Sequence, residues 1–289
     1  MKIVHGIDDV RNEVKNARND GKRIGFVPTM GFLHQGHISL VNIAKENSEY
    51  IVMSIFVNKL QFNDPNDFKN YPKDLERDIA SADKGGVDLL FIPDDAEMYR
   101  NNLTTVDVDV LTENLCGATR PGHFKGVFTV VSKLFNIVQP DISVFGQKDI
   151  QQVVSIEKMV NDLNFPIKII IAPIIRESTG LAMSSRNKHL SEKQKIDALA
   201  LSRSLDVCRK LIASGERDVK KITESIKAVI REGEPDSIDY VSIVNYEDLR
   251  YIEKINGKSV LAVAAFWGST RLIDNMIIDK NGDEYICVL

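Results

Sequence analysis

Cysteine is scarce in this chain. Its 289 residues include only Cys116, Cys208 and Cys287, and no two of these stand at C-x-x-C spacing. That excludes a disulfide scaffold and removes the usual zinc and redox motifs. Apolar packing in a reducing compartment is the expectation for all three. A basic excess is lacking too: 37 Lys and Arg stand against 41 Asp and Glu, a net charge of −4, the opposite of a nucleic-acid binder's footprint. Long apolar runs are missing. The longest, 51–57 and 260–267, are strand-sized and far short of the roughly 20 residues that span a bilayer. The charges of the first nine residues precede any stretch suited to a signal peptide. With 17 Gly, 9 Pro and 43% hydrophobic residues, the composition is neither collagen-like nor disordered. A soluble, cytoplasmic protein of about two domains is expected from roughly 150 residues per domain.

The apolar pattern alternates between helical and strand periods. Val10, Val14 and Ala17 fit a helix entered at Asp8 or Asp9 and ended by Gly21. Short apolar strands are expected at 23–27, closed by Pro28, and at 51–57, 87–92, 143–145 and 167–171. Helices are expected at 37–48, 74–84, 126–138 and 149–163. Strands that are apolar throughout have both faces covered, the mark of a doubly wound, Rossmann-like parallel α/β sheet. Such sheets take ligands beyond the carboxyl ends of their strands, so the segments after Val27, Val57 and Phe145 are the first places to look. Beyond 175 the pattern changes. Ser191 can open one long helix through Ile212, and Val219, Ile222, Ile226 and Ile230 mark another. Strands at 238–244, 259–266 and 271–278 fit a half-open antiparallel sheet. The division expected is a catalytic domain over 1–175 and a smaller α+β domain over 176–289, with 173–186 as hinge.

Five clusters carry chemistry. Pro28-Thr-Met-Gly-Phe-Leu-His-Gln-Gly-His37 follows a strand and opens a helix, whose free amides and dipole suit phosphate. His34 and His37 lie three apart and can share a face. A metal pair or a plain turn are the competing explanations, but no further ligand follows at suitable spacing. Asn58 and Gln61 end the next strand, followed by Tyr71 and by Asp78, a hard-oxygen candidate for magnesium. Arg120-Pro-Gly-His-Phe favours an anion, against a plain surface loop. Gly146-Gln-Lys-Asp149, with Gln152 one turn on, again joins a strand end to a helix start; Asp149 can cap that helix or bind a ribose hydroxyl. Met183-Ser-Ser-Arg-Asn places two hydroxyls beside a guanidinium.

The HxGH element with a distal Met-Ser-Ser-Arg resembles the HIGH and KMSKS elements of the nucleotidyltransferase superfamily. All five clusters, in order over essentially the whole chain and including Arg271-Leu-Ile-Asp274, resemble the pantoate–β-alanine ligase family. That resemblance implies an ATP-dependent, magnesium-assisted reaction through pantoyl adenylate, giving pantothenate, AMP and pyrophosphate. It implies catalytic roles for His34, His37, Lys148 and Arg186. It implies an ATP site drawn from Met30, Gly31, Phe32, Leu33, His34, Gln35, Gly36 and His37. Gly146, Gln147, Lys148, Asp149, Ile175, Met183, Ser184, Ser185 and Arg186 would complete that site. Gln61, Gln152, Asn58, Tyr71 and Arg120 would serve pantoate and β-alanine, while Asp78 stays the metal candidate on its hard-oxygen chemistry. A lid-like C-terminal domain and a homodimer are implied as well, with no nucleic-acid or membrane partner. Three positions depart from the family pattern: Lys59 stands for Pro, Phe32 for Ala and Gln35 for an acid. Another adenylate-forming enzyme of the same fold, and a catalytically silent nucleotide-binding protein, are the alternatives. The many cations among the motifs argue against the second.

Overall fold

The structure, a computed structural model, describes residues 1–63, 65–281 and 284–289. In chain order its elements are β1 (Lys2–Val4), α1 (Ile7–Asn19), β2 (Ile24–Thr29), α2 (Gln35–Asn47), β3 (Tyr50–Ile55), α3 (Pro65–Lys69), α4 (Leu75–Gly85), β4 (Leu89–Phe91), α5 (Asp95–Tyr99), α6 (Leu115–Thr119), α7 (His123–Val138), β5 (Ile142–Gly146), α8 (Ile150–Asp162) and β6 (Lys168–Ala172). There follow α9 (Glu192–Asp197), α10 (Leu199–Ala213), α11 (Val219–Glu232), β7 (Ser237–Asn245), β8 (Ser259–Trp267), β9 (Thr270–Asn281) and β10 (Glu284–Val288). Two compact units result. One comprises Met1–Asp109, Gly117–Gly146 and Ser155–Ala172; the other comprises Val110–Cys116, Gln147–Val154 and Pro173–Leu289.

The first unit holds a six-stranded sheet in the order β1-β4-β3-β2-β5-β6, parallel at every pairing. Strand alternation splits its apolar residues between two layers. Ile51, Met53 and Ile55 of β3, with Val27 of β2, join Leu40, Val41 and Ala44 of α2 and Ala82 of α4 in one buried cluster. The opposite face takes Phe26, whose ring meets Phe135 of α7 edge-on at 6.4 Å. The chain runs outward from β2 through β3 to β4, then returns to β5 on the other side of β2. The reversal makes the carboxyl ends of β2 and β5 the switch point where open sheets of this kind bind ligands. β2 continues past its expected end through Pro28 to Thr29, which pair with Ser54 and Ile55 of β3, whereas β5 pairs only with Gly25 and Phe26. Pro28 therefore removes no hydrogen bond on that side.

The second unit is built on an antiparallel sheet in the order β10-β9-β8-β7. Ile222, Ile226 and Ile230 of α11 and Leu201, Leu205 and Cys208 of α10 pack with Leu261, Val263, Ala265 and Trp267 of β8. The single tryptophan is buried and donates from Nε1 to the Gly233 carbonyl at 2.8 Å. The helix expectation is corrected here. The long helix opened by Ser191 breaks at Ala198. A Cβ on Gly233 would stand 2.3 Å from the Asp197 carbonyl oxygen and 2.6 Å from Ala200, so another backbone passes against this junction. β8 does not alternate but is buried almost throughout. Of the cysteines, only Cys208 is fully buried, and desolvation pushes its thiol up to about 12. Cys116 instead keeps polar company, 3.3 Å from the Tyr240 hydroxyl and 3.4 Å from the Arg271 guanidinium. Among the described residues no helix is long and apolar enough to cross a membrane.

Candidate active site

In the first unit β2 leads into a turn that most sequences could not form. Gly31 and Phe32 both adopt left-handed backbone, at φ 84° and 53°. A Cβ on Gly31 would stand 2.9 Å from Asp78 Oδ2 and 3.0 Å from Ile55, so only glycine fits. Phe32 and Leu33 donate their N–H groups to the Asp78 carboxylate, at 2.7 and 2.6 Å. Left-handed backbone costs a phenylalanine about 1–2 kcal/mol. Two hydrogen bonds to a charged acceptor contribute about 1.5–3 kcal/mol each, so the carboxylate outweighs the strain.

The turn delivers His34 to the N-cap of α2. Its Nδ1 accepts from Gly36 N at 3.1 Å, and His37 Nδ1 accepts from His34 N at 3.1 Å. The rings lie with centroids 4.1 Å apart. A backbone amide can only donate, so both Nδ1 atoms are acceptors. The neutral rings therefore carry their protons on Nε2. Two Nε2–H donors stand together at a helix start whose first turn has no acidic residue, an arrangement suited to phosphate oxygens.

Gln61 is held from three sides. Asn58 donates to Gln61 Oε1 and to the Gly126 carbonyl, both at 3.0 Å, while its own oxygen accepts from Tyr99 Oη at 2.7 Å and Leu60 N at 3.3 Å. Asn58 is 1% exposed and its donors and acceptor are engaged. It thus orients the Gln61 side chain. The Gln61 amide nitrogen is turned toward Met30 Sδ at 3.2 Å. The Gln61 backbone carbonyl accepts from His123 Nδ1 at 2.6 Å, and His123 Nε2 accepts from Arg120 at 3.2 Å. Arg120 is thereby fixed beside the Gln61 turn. Tyr71 packs edge-on against Phe62 at 5.7 Å. Lys59 adds no free cation, since Asp95 pairs with it at 3.3 Å. Tyr99 is one residue that sequence reasoning missed. Burial holds its hydroxyl protonated, raising it well above the usual tyrosine range. A lone tyrosine closing a five-residue helix carries no pattern that could have flagged it.

In the second unit the Gln147–Asp149 turn is fastened by β9. Asn275 donates to the carbonyls of Gln147 and Lys148 at 3.0 and 2.9 Å. The Gln147 side chain, expected at the nucleotide, is buried and donates instead to Asn275 Oδ1 and the Val288 carbonyl. Lys148 and Gln152 are half-exposed and Asp149 is exposed. Gln151 turns inward to the carbonyls of Leu111 and Asn114.

The stretch expected as a hinge is a stapled hairpin. Arg176 bridges to Ala182, Met183 N donates to the Ile175 carbonyl at 2.9 Å, and Arg176 makes a two-pronged ion pair with buried Asp274 at 2.6 and 3.1 Å. From it emerges the turn Ser185–His189, capped by Ser184 Oγ accepting from Arg186 N at 3.2 Å. Asn187 anchors this turn from within, donating to Glu177 at 2.6 Å and the Ala182 carbonyl at 3.1 Å. Met183, Ser184, Ser185 and Arg186 stay half-exposed.

A pantoate-beta-alanine ligase family model matches residues 2–277. The chain belongs to that family. It is 53% identical over 282 residues to the pantothenate synthetase of Thermoanaerobacter sp. strain X514, covering 97% of this chain and 100% of that protein. It is 53% identical over 280 residues to that of Desulfitobacterium hafniense strain DSM 10664, covering 96% and 99%. The crystal structure of pantothenate synthetase from Thermus thermophilus superposes with a TM-score of 0.89 at 40% identity, over 95% of this chain and 98% of that one. The pantoate-beta-alanine ligase of Francisella tularensis, complexed with beta-gamma ATP and beta-alanine, gives 0.76 at 35%, over 95% and 97%.

Magnesium calls for hard oxygen ligands. Among the described residues no group of three or more His, Cys, Asp or Glu converges on a point. Asp78, expected as the ligand, spends both oxygens on backbone amides. These residues do not fit a resident metal.

Proposed function

We propose that this family member joins pantoate to β-alanine in two steps at the expense of ATP. In the first, a pantoate carboxylate oxygen attacks the α-phosphorus of ATP. The bond to pyrophosphate breaks and an acyl–phosphate anhydride forms. In the second, the β-alanine amine attacks the acyl carbon. The C–O bond breaks, AMP leaves with the electron pair, and the nitrogen releases a proton to water as the amide forms.

The observation that carries this reading is the paired histidine cap. Two imidazoles with Nε2–H donors can follow charge as it grows on phosphate oxygens, a preorganised form of stabilisation. His37 is the proposed proton donor to the leaving phosphate. Lys148 and Arg186 supply fixed positive charge, and the hydroxyls of Ser184 and Ser185 supply further donors. Met30, the 31–36 turn, Gly146, Asp149, Ile175 and Met183 complete the proposed ATP site. Gln61 and Gln152 hold pantoate; Arg120, with Tyr71 nearby, attracts the β-alanine carboxylate, and Asn58 acts through Gln61. Any magnesium ion belongs to the nucleotide's own phosphates. A homodimer in the cytoplasm completes the reading, on the family resemblance alone.

The test is AMP formation from ATP with pantoate and β-alanine, each omitted in turn. AMP is expected only with pantoate present. Folded protein without pantoate-dependent turnover overturns the reading, and turnover with a different acid in place of pantoate favours another adenylate-forming activity.

A further inference from the structure

The geometry points to Asp78 as the positioning residue for both histidines, acting through the left-handed turn rather than through a metal or a substrate. The inference rests on the proposed reaction only for its kinetic consequence. Asp78 lies in the first turn of α4 and is 2% exposed. Its two oxygens take the N–H groups of Phe32 and Leu33. Successive amides around left-handed residues form a concave nest that takes an anion; here the anion is a side chain of the same protein.

The neighbouring Arg77 grips the turn's other side. Its guanidinium lies 5.3 Å from the centre of the Phe32 ring, and its Nη2 is 3.5 Å from the Leu33 carbonyl. The next residue is His34, whose N–H is the donor to His37 Nδ1. Its carbonyl accepts from His37 N at 2.8 Å and Ile38 N at 3.2 Å. The peptide planes fixed by Asp78 are thus continuous with those that cap α2 and set both imidazole tautomers. Without the carboxylate, Phe32 is released toward the negative φ that L-residues prefer. The His34 N–H then swings away from His37. The hydrogen bonds of Asp78 go to the turn's backbone, so its action on the histidines is indirect.

The experiment reads histidine tautomers in the substrate-free protein by long-range 1H–15N spectra, and kinetics separately. Wild-type His37 is expected as the Nε2–H form. Asp78→Asn should shift it to a tautomer mixture and lower kcat for AMP formation at least tenfold, with the KM for β-alanine changed less than twofold. Phe32→Gly removes the steric bar to left-handed backbone. In the Phe32→Gly background the loss from Asp78→Asn should shrink at least fivefold. An unchanged His37 signal in Asp78→Asn, or losses that multiply without coupling to Phe32→Gly, overturns the inference. So does a kcat for Asp78→Asn restored by excess magnesium, which would make Asp78 a metal ligand. Should Asp78→Asn fail to fold, Phe32→Val gives the same reading, since a β-branched residue resists this φ; an unaltered His37 spectrum there also overturns it. The spectra need no turnover, so failure of the inference is separable from failure of the proposed reaction.

Discussion

The two units fasten their chemical turns with the same device used in opposite senses. In the first, the adjacent residues Arg77 and Asp78 of α4 hold the turn that carries His34 and His37. In the second, the adjacent residues Asp274 and Asn275 of β9 hold the hairpin of Arg176 and the turn of Lys148. Asp78 takes amide hydrogens from its turn, so those amides are spent on the protein and the proposed phosphate contacts fall to the imidazoles beyond them. Asn275 takes carbonyl oxygens, the other polarity of the backbone, and leaves the work of attraction to a lysine. Asp78, Asp274 and Asn275 are buried, while Arg77 is exposed and His34, His37, Lys148 and Arg186 are half-exposed. Burial thus sets the acidic and amide holders apart from the residues proposed to react.

That separation breaks if a reactive residue proves to be mainly structural. His37→Ala should lower AMP formation by about 10²–10⁴-fold and barely move the thermal midpoint. A stability loss of several kcal/mol, with activity falling only in proportion, would demote His37 to a helix cap. The holders should behave the other way round. Asp274→Asn leaves the Arg176 guanidinium without its countercharge, and breaking a buried pair costs about 3–5 kcal/mol; urea unfolding measures it, and an unchanged midpoint would remove β9 from the comparison. Asn275→Leu strands the carbonyls of Gln147 and Lys148, at about 2–3 kcal/mol. It should raise the KM for ATP about tenfold and leave that for β-alanine alone. If the KM for ATP does not move, β9 is only a core strand and the parallel with α4 fails. The smallest effect is expected from Tyr99→Phe, which deletes one hydrogen bond to Asn58, worth about 1 kcal/mol. It should raise the KM for pantoate about fivefold with no change for ATP, and equal shifts for both substrates would mean that the Asn58–Gln61 chain does not serve one substrate.

The motifs of the half-exposed residues proposed to react are legible in the sequence and the partnerships of the holders are not, for a physical reason. His34, His37, Lys148 and Arg186 sit where a strand or hairpin ends and a helix or turn begins, next to glycines or serines, and these junctions leave a local signature. Asp78 acts on residues 45 and 46 positions away, and Asn275 on residues 127 and 128 positions away. No local period records such a partnership. Asp78 was legible as a carboxylate near the motifs, but a carboxylate beside a phosphate site suggests a metal until its backbone partners are visible. The setting of Asn58 is hidden for the same reason, since the Tyr99 hydroxyl and the Gly126 carbonyl that bond it lie 41 and 68 residues on. The parallel sheet was legible because continuous apolar strands admit few alternatives. The break at Ala198 was not, because it comes from Gly233 pressing on the junction, with no local helix breaker.

The most direct measurement is isotope exchange between pyrophosphate and ATP with β-alanine left out. A two-step reaction through an acyl adenylate predicts exchange that requires pantoate alone, and that is lost in His37→Ala while the protein remains folded. Exchange that needs β-alanine, or release of ADP in place of AMP, would contradict the account.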